Sequence, residues 1–235
     1  EALKAQAVCA RTYTFRKLLD DTKYPGGANL SDNINSCQAY ISEEEFCQRH
    51  PKYKDLYEKV KEAVKQTRGE IMIYNDEPID ALYHSTCGGQ TESSCNVWGK
   101  NVSYLSSVQC RYCKQSRHYE TIQVFSVQDF TTSLGVNNSQ PQVKISENTP
   151  GGRVKTVKIN DKELSGEKLR RILGLPSTWC DFKVNAEQVK IKSRGYGHGL
   201  GLCQYGANGM ALSGKTYRQI LKHYYKGIEF SQLKY

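Results

Sequence analysis

The sequence predicts an α+β fold of mixed helices and antiparallel strands, a core with a smaller second lobe inserted into it. Two observations carry this. Apolar residues recur at helical spacing in 1–19, 53–67, 165–175 and 216–225, whereas 120–126 and 188–194 alternate polar and apolar like half-buried strands. From Tyr119 the texture also changes to short strands and small helices, which sets the second lobe at 119–187 and the core at 1–118 and 188–235. With 235 residues, 38% hydrophobic and 24% charged, the chain is large enough for one well-buried core or two small lobes, and it is not a disordered composition.

In order, residues 1–19 are strong helix formers, with Glu1, Ala5, Val8 and Thr12 on one face. Residues 20–36 are rich in turn formers and predict a long functional loop before Cys37-Gln-Ala-Tyr40. Ser42-Glu-Glu-Glu45 has the spacing of a capping box and opens a second helical region, continued over 53–67 with Leu56, Val60, Ala63 and Val64 at core spacing. Residues 69–83 read as a hairpin with Asn75-Asp-Glu-Pro78 in the turn; its second strand delivers His84, Ser85 and Thr86 to the Gly88-Gly89 turn. Further on, 127–134 reads as a helix, 143–146 pairs with 154–159 across Pro150-Gly-Gly152, and Trp179 reads as a core residue. Ile228 and Phe230 follow the last helix as a final strand.

The organising stretch is Arg194-Gly-Tyr-Gly-His-Gly-Leu-Gly-Leu-Cys-Gln-Tyr-Gly-Ala207. Its alternating glycines allow positive φ and close approach of a second segment, while Tyr196, His198, Gln204 and Tyr205 project polar atoms. His198 falls at a corner between a strand and a helix, which reads as the floor of a site.

A formal charge of +9 and sixteen tyrosines suit an anionic or carbohydrate-rich partner. Nucleic acid is not expected, because no helix carries a lysine-arginine stripe and no single-strand motif with interleaved aromatics occurs. No run of eighteen apolar residues exists to span a bilayer. The sequence opens directly into helix-forming residues without a cap, so a preceding N-terminal piece, such as a removed anchor, is expected.

Nine cysteines guarantee one without an intramolecular disulfide partner. Cys87, Cys95, Cys110 and Cys113 have the spacing C-x7-C-x14-C-x2-C, a ligand set for structural zinc, with disulfides and free thiols as the alternatives. Cys37 either approaches Cys47 or stays free. Cys9 and Cys203 each lie inside a motif, and packing as small residues is their default reading.

Three stretches, Glu1-Ala-Leu-Lys-Ala-Gln-Ala-Val8, Tyr83-His-Ser-Thr-Cys-Gly-Gly-Gln-Thr-Glu-Ser-Ser94 and Gly195-Tyr-Gly-His-Gly-Leu-Gly-Leu-Cys-Gln-Tyr-Gly-Ala207, resemble the stage II sporulation protein D family in the same order. That family also takes in amidase-enhancer proteins. The resemblance implies a peptidoglycan lytic transglycosylase of a spore-forming Gram-positive bacterium, acting in engulfment, whose catalytic acid falls on Glu1. Such an enzyme cleaves the bond between N-acetylmuramic acid and N-acetylglucosamine. A neutral carboxylic acid protonates the leaving oxygen, the muramic C6 hydroxyl attacks, and a 1,6-anhydro sugar forms, so no second carboxylate and no cofactor for the chemistry are needed.

The implied cleft is lined by Arg11, His84, Ser85, Thr86, His198, Gln204 and Tyr205. Arg11, on the helix of Glu1, either holds an acidic or amide group of the muropeptide or pairs with a neighbour. The resemblance further implies glycan strands, in related proteins those stripped of stem peptides, a wall amidase and a membrane anchor protein as partners. It implies an extracytoplasmic place on the mother-cell side, in the intermembrane space. Some clostridial members carry a histidine and two cysteines as zinc ligands before Gln-Ala-Tyr; the first two positions are Pro25 and Ser31 here, so that site is expected to be absent. A non-catalytic wall-binding or amidase-enhancing protein is the alternative function.

Overall fold

The computed structural model describes residues 1–20, 23–33, 36–136 and 140–234. In chain order come α1 (Ala2–Leu19), α2 (Glu43–Arg49), α3 (Lys54–Gln66), β1 (Glu70–Tyr74), β2 (Glu77–Pro78) and β3 (Tyr83–His84). Then follow α4 (Ser94–Trp98), β4 (Glu120–Ser126), α5 (Val127–Leu134), β5 (Val143–Asn148), β6 (Val154–Ile159), β7 (Lys162–Ser165) and α6 (Gly166–Leu173). β8 (Cys180–Val184), β9 (Gln188–Arg194), β10 (Leu202–Cys203), α7 (Gln204–Leu212), α8 (Tyr217–Tyr224) and β11 (Glu229–Gln232) come last. Helices mixed with sheets that are antiparallel except for the β3–β10 pair make this the α+β class expected.

The chain forms two compact units, residues 1–82 with 210–235 and residues 83–209. The sequence-based limits at 119 and 187 differ from this division. β9 pairs along its whole length with β4 and along most of it with β8, which ties 188–194 to the strands before it.

In the first unit, α1 buries Ala5, Val8, Cys9, Thr12 and Tyr13 and packs on α3, α8 and β1. Thr12 joins helix to sheet: its hydroxyl donates to Val8 O at 2.7 Å and accepts the Met72 N–H at 3.0 Å. The sheet runs β11-β1-β2, all antiparallel, so the final strand is found and pairs with β1. The turn at Asn75 and Asp76 has φ of 50° and 64°, left-handed conformations that Asn and Asp tolerate best among residues with a side chain. The hairpin itself is shorter than expected. β2 has two residues, and β3 is a separate strand that pairs in parallel with β10.

The core spacing read in 53–67 is also corrected. Ala63 is buried, but Leu56, Val60 and Val64 are 41–45% exposed, because α3 buries only its C-terminal end, at Ala63 and Thr67. α8 begins at a full capping box between Thr216 and Gln219 and buries Ile220, Leu221 and Tyr224.

The second unit holds two three-stranded antiparallel sheets, β4-β9-β8 and β5-β6-β7, with α5 and α6 packed on them. Phe130, Val157, Ile159, Leu169, Val189 and Ile191 are fully buried in its core. α5 and α6 each start on a serine cap, Ser126 and Ser165, and each stop on a left-handed glycine, Gly135 and Gly174. β5 and β6 pair across Pro150-Gly-Gly152 as expected, with a register shift near Glu147.

Candidate active site

Glu1 caps α1 and is exposed. Oε1 accepts Lys4 Nζ at 2.7 Å, a pair one helical turn apart, and Oε2 accepts the Tyr217 N–H at 2.7 Å. Tyr217 is the first residue of α8, so the carboxylate also sits at the positive end of that helix. The Lys4 ammonium is the largest cause that holds its pKa below the ordinary carboxylate range; partial burial opposes it, and the Tyr217 amide adds to the lowering. This corrects the expectation of a carboxyl kept neutral by apolar surroundings. Lys4 was legible as an i+3 neighbour; Tyr217, 216 positions away, was not.

His84 and His198 lie in the second unit, with ring centroids 5.7 Å apart in an edge arrangement. Leu200 bonds both. Its carbonyl accepts from His84 Nδ1 at 2.9 Å and its N–H donates to His198 Nδ1 at 3.0 Å. These partners assign the protons to Nδ1 of His84 and Nε2 of His198, the latter donating to Tyr83 O at 3.2 Å. Burial is the main cause that lowers both pKa values, to about 3 for His84 and about 4 for His198. His84 Nε2 is buried with no hydrogen-bond partner among the described residues.

The glycine corner is as close-packed as its composition predicts. A Cβ on Gly195, φ 82°, would lie 2.6 Å from Thr86 O, and one on Gly197, φ 111°, would lie 2.9 Å from His84 Cβ. Thr86 exchanges both backbone bonds with Tyr196, at 3.1 and 2.7 Å. Its buried hydroxyl meets Ser116 Oγ at 2.6 Å, which leaves Thr86 shaping the corner from inside. Ser85 is half-buried, and its carbonyl accepts the Tyr205 N–H at 3.1 Å. Gln204 is exposed and Tyr205 half-buried at the start of α7.

Arg153 and Glu92, which the sequence reading missed, support this corner from within the same unit. Glu92 is buried and accepts from Ser93 N, Asn96 Nδ2 and Thr149 Oγ1 at 2.6–2.8 Å. Arg153 pairs with it at 3.7 Å and donates through Nη2 to Cys87 O and Gln90 O, both at 2.9 Å. Its guanidinium faces Trp179, which Arg194 covers as well, so that half-buried tryptophan sits among cations.

Two expected roles do not fit. Arg11 Nη1 donates to Thr67 O at 2.6 Å and Glu70 O at 2.9 Å, so its guanidinium is spent on carbonyls where α3 ends, the neighbour-pairing alternative. Cys95 is exposed on α4 and stands apart from the other thiols of the predicted ligand set. Cys203 takes its place: Cys87, Cys110, Cys113 and Cys203 are all buried, with sulfurs within 4.8 Å of one another, a group that can hold a metal ion. The packing reading of Cys203 missed this because four sulfurs from distant segments have no sequence spacing in common. Cys9 instead contacts Tyr225 Oη at 3.4 Å, and Cys37 and Cys47 are half-buried free thiols.

A family model described as Stage II sporulation protein matches residues 1–74. Over 237 residues, 99% of this chain and 69% of the relative, the sequence is 38% identical to the stage II sporulation protein D of Bacillus subtilis (strain 168). The chain belongs to the stage II sporulation protein D family. It is also 37% identical to the stage II sporulation protein D of Bacillus amyloliquefaciens, over 99% of this chain and 69% of that one. An amidase enhancer of Bacillus subtilis (strain 168) is 29% identical over 97% of this chain and 37% of its own length. The family ties the chain to sporulation. Within it, the model match takes in Glu1, Lys4 and Arg11 and stops before His84, which only the longer pairwise similarities reach. Among the described residues no helix is long and apolar enough to cross a membrane.

Proposed function

We propose that the protein is a peptidoglycan lytic transglycosylase of engulfment, with Glu1 as its acid and then its base. One observation carries the reading: the carboxylate at the start of α1 is exposed to a ligand while both its oxygens are held in place, by Lys4 and by the Tyr217 amide.

In the free protein this carboxylate is ionised near neutral pH. A glycan laid over it strips water from the carboxylate and separates it from Lys4, and both changes raise its pKa. The protonated acid then gives its proton to the glycosidic oxygen as the bond from C1 of N-acetylmuramic acid breaks, and N-acetylglucosamine leaves with a free hydroxyl. The C6 hydroxyl of the muramic sugar attacks C1, and its proton passes to Glu1. No water is consumed and no cofactor takes part, so one carboxyl suffices where hydrolysis needs two.

Residues 84–86 and 198–205 serve recognition in this reading. Ser85, Gln204 and Tyr205 offer polar atoms to sugar hydroxyls and acetamido groups, and His84, His198 and Thr86, whose polar atoms are buried or already bonded, hold the shape of the corner beneath them. The substrate is a glycan strand, in the first place one without stem peptides. The protein acts outside the cytoplasm, in the intermembrane space on the mother-cell side, held by an N-terminal anchor segment. A wall amidase and a membrane anchor protein are its partners; the relative named an amidase enhancer points the same way.

A second reading, a wall-binding protein without catalysis, draws on the ion pair with Lys4, which keeps Glu1 in the wrong protonation state for an acid. Digestion of denuded and intact peptidoglycan by wild type and Glu1→Gln, followed by mass analysis, separates the two. New anhydro ends from wild type alone support catalysis. Retained intact strands with both proteins support binding.

A further inference from the structure

Four buried sulfurs from three separate stretches of the second unit meet at one point. Cys87 follows β3, Cys110 and Cys113 flank a tight turn, and Cys203 ends β10. Four thiolates at ~2.3 Å from a tetrahedral zinc ion stand ~3.8 Å apart. The sulfurs of Cys87 and Cys113 are 3.5 Å apart and the whole set spans no more than 4.8 Å, so side-chain adjustments alone complete the tetrahedron. We propose that Cys87, Cys110, Cys113 and Cys203 bind a structural zinc ion that fastens the glycine corner to residues 84–86. This assignment is independent of the role given to Glu1.

The surroundings suit a thiolate centre. The N–H groups of Cys87 and Gly206 both donate to Cys203 Sγ at 3.3 Å, the outer-shell support that metal-bound thiolates receive. Zinc with four thiolates carries a net charge of −2, and a buried cation stands against it. Arg153, 3% exposed, donates to the carbonyl of Cys87, while its Nε and Nη1 have no hydrogen-bond partner among the described residues. The Arg153 cation offsets one of the two negative charges of such a centre, a role it shares with its pairing to Glu92 at 3.7 Å.

Four sulfur ligands leave no open coordination position, so the ion is structural and takes no part in sugar chemistry. Its effect on the site is geometric. The β3–β10 pairing is two residues long, Leu202 with Tyr83 and Cys203 with His84. A ligand at each side of it, Cys87 and Cys203, lets the metal hold what so short a pair holds poorly. Binding releases the thiol protons to solvent, one for each sulfur that was protonated.

The test is metal analysis of the whole chain purified in reductant without added metal. One zinc per chain is expected, released as four thiols react with a mercurial under native conditions. Cobalt(II) exchanged into the protein should give the charge-transfer and ligand-field bands of a tetrahedral thiolate site. Cys203→Ser should lose most of the zinc and Cys95→Ser should keep it. Since a ligand variant can fail to fold, the wild-type titration and cobalt spectrum decide by themselves. Absence of metal, iron in place of zinc, disulfides among these four residues, or zinc loss in Cys95→Ser equal to that in Cys203→Ser would each overturn the assignment.

Discussion

Glu1 accepts the backbone N–H of Tyr217 at 2.7 Å, so the carboxylate that opens α1 is seated on the first peptide of α8. The first N–H groups of a helix have no partner inside it, and an anion satisfies one of them while meeting the positive end of the dipole. With Lys4 on the other oxygen, the geometry is fixed before any ligand arrives. Proton affinity is what that arrangement sacrifices.

Lys4→Met should therefore raise the Glu1 pKa, since Lys4 is the largest cause that lowers it. If Glu1 is the acid, the alkaline limb of kcat/KM moves to higher pH, with a few-fold gain on that side. A limb that stays put, or moves toward acid, rules out a protonated Glu1 as the active form.

Arg11→Ala removes two charge-assisted bonds to Thr67 O and Glu70 O. We expect a loss of about 2 kcal/mol in urea denaturation, with glycan binding per folded molecule unchanged. Weaker binding at undiminished stability would return Arg11 to the substrate.

Glu92→Ala leaves Arg153 buried without its carboxylate partner and strips acceptors from three donors. Breaking such a pair from one side costs roughly 3–5 kcal/mol. A change below about 1 kcal/mol in the same denaturation experiment would mean that the network relaxes into water.

Stability should fall as the solution is acidified. The unfolded chain takes up protons on His84 and His198 near pH 6.5, whereas the folded chain resists until about 3 and about 4. Their full contribution is thus present above pH ~6.5 and is lost progressively as the pH falls, toward about 4 for His198 and about 3 for His84, at about 2 kcal/mol per residue by pH ~5. Urea midpoints across this range check it. A flat profile, or one as steep in a His84→Gln, His198→Gln variant, would count against two neutral buried rings.

Much of the scaffold was legible because its signals are local. Alternation gave β4 and β9, and the serine-to-glycine frames of α5 and α6 follow from side-chain capping and left-handed glycine, which need no knowledge of the rest of the chain. α3 misled for the complementary reason. Leu56, Val60 and Val64 have helical spacing, but how much of a helix is covered depends on what packs against it. The site divided along the same line. Lys4 beside Glu1 is a neighbour in sequence, whereas Tyr217 at Glu1, Arg153 under Gly199 and Cys203 beside Cys87 are joined by tertiary contacts.

Leu200 governs which protons the two histidines carry. Its peptide oxygen claims a hydrogen from one ring and its peptide nitrogen gives one to the other, so neither imidazole can switch tautomer without tearing the loop from its anchor. What remains on His84 is a bare lone pair at Nε2. Sealed from solvent, that lone pair would gain a proton with no acceptor among the described residues to share it, so the ring is locked as an uncharged wedge between the two glycine turns.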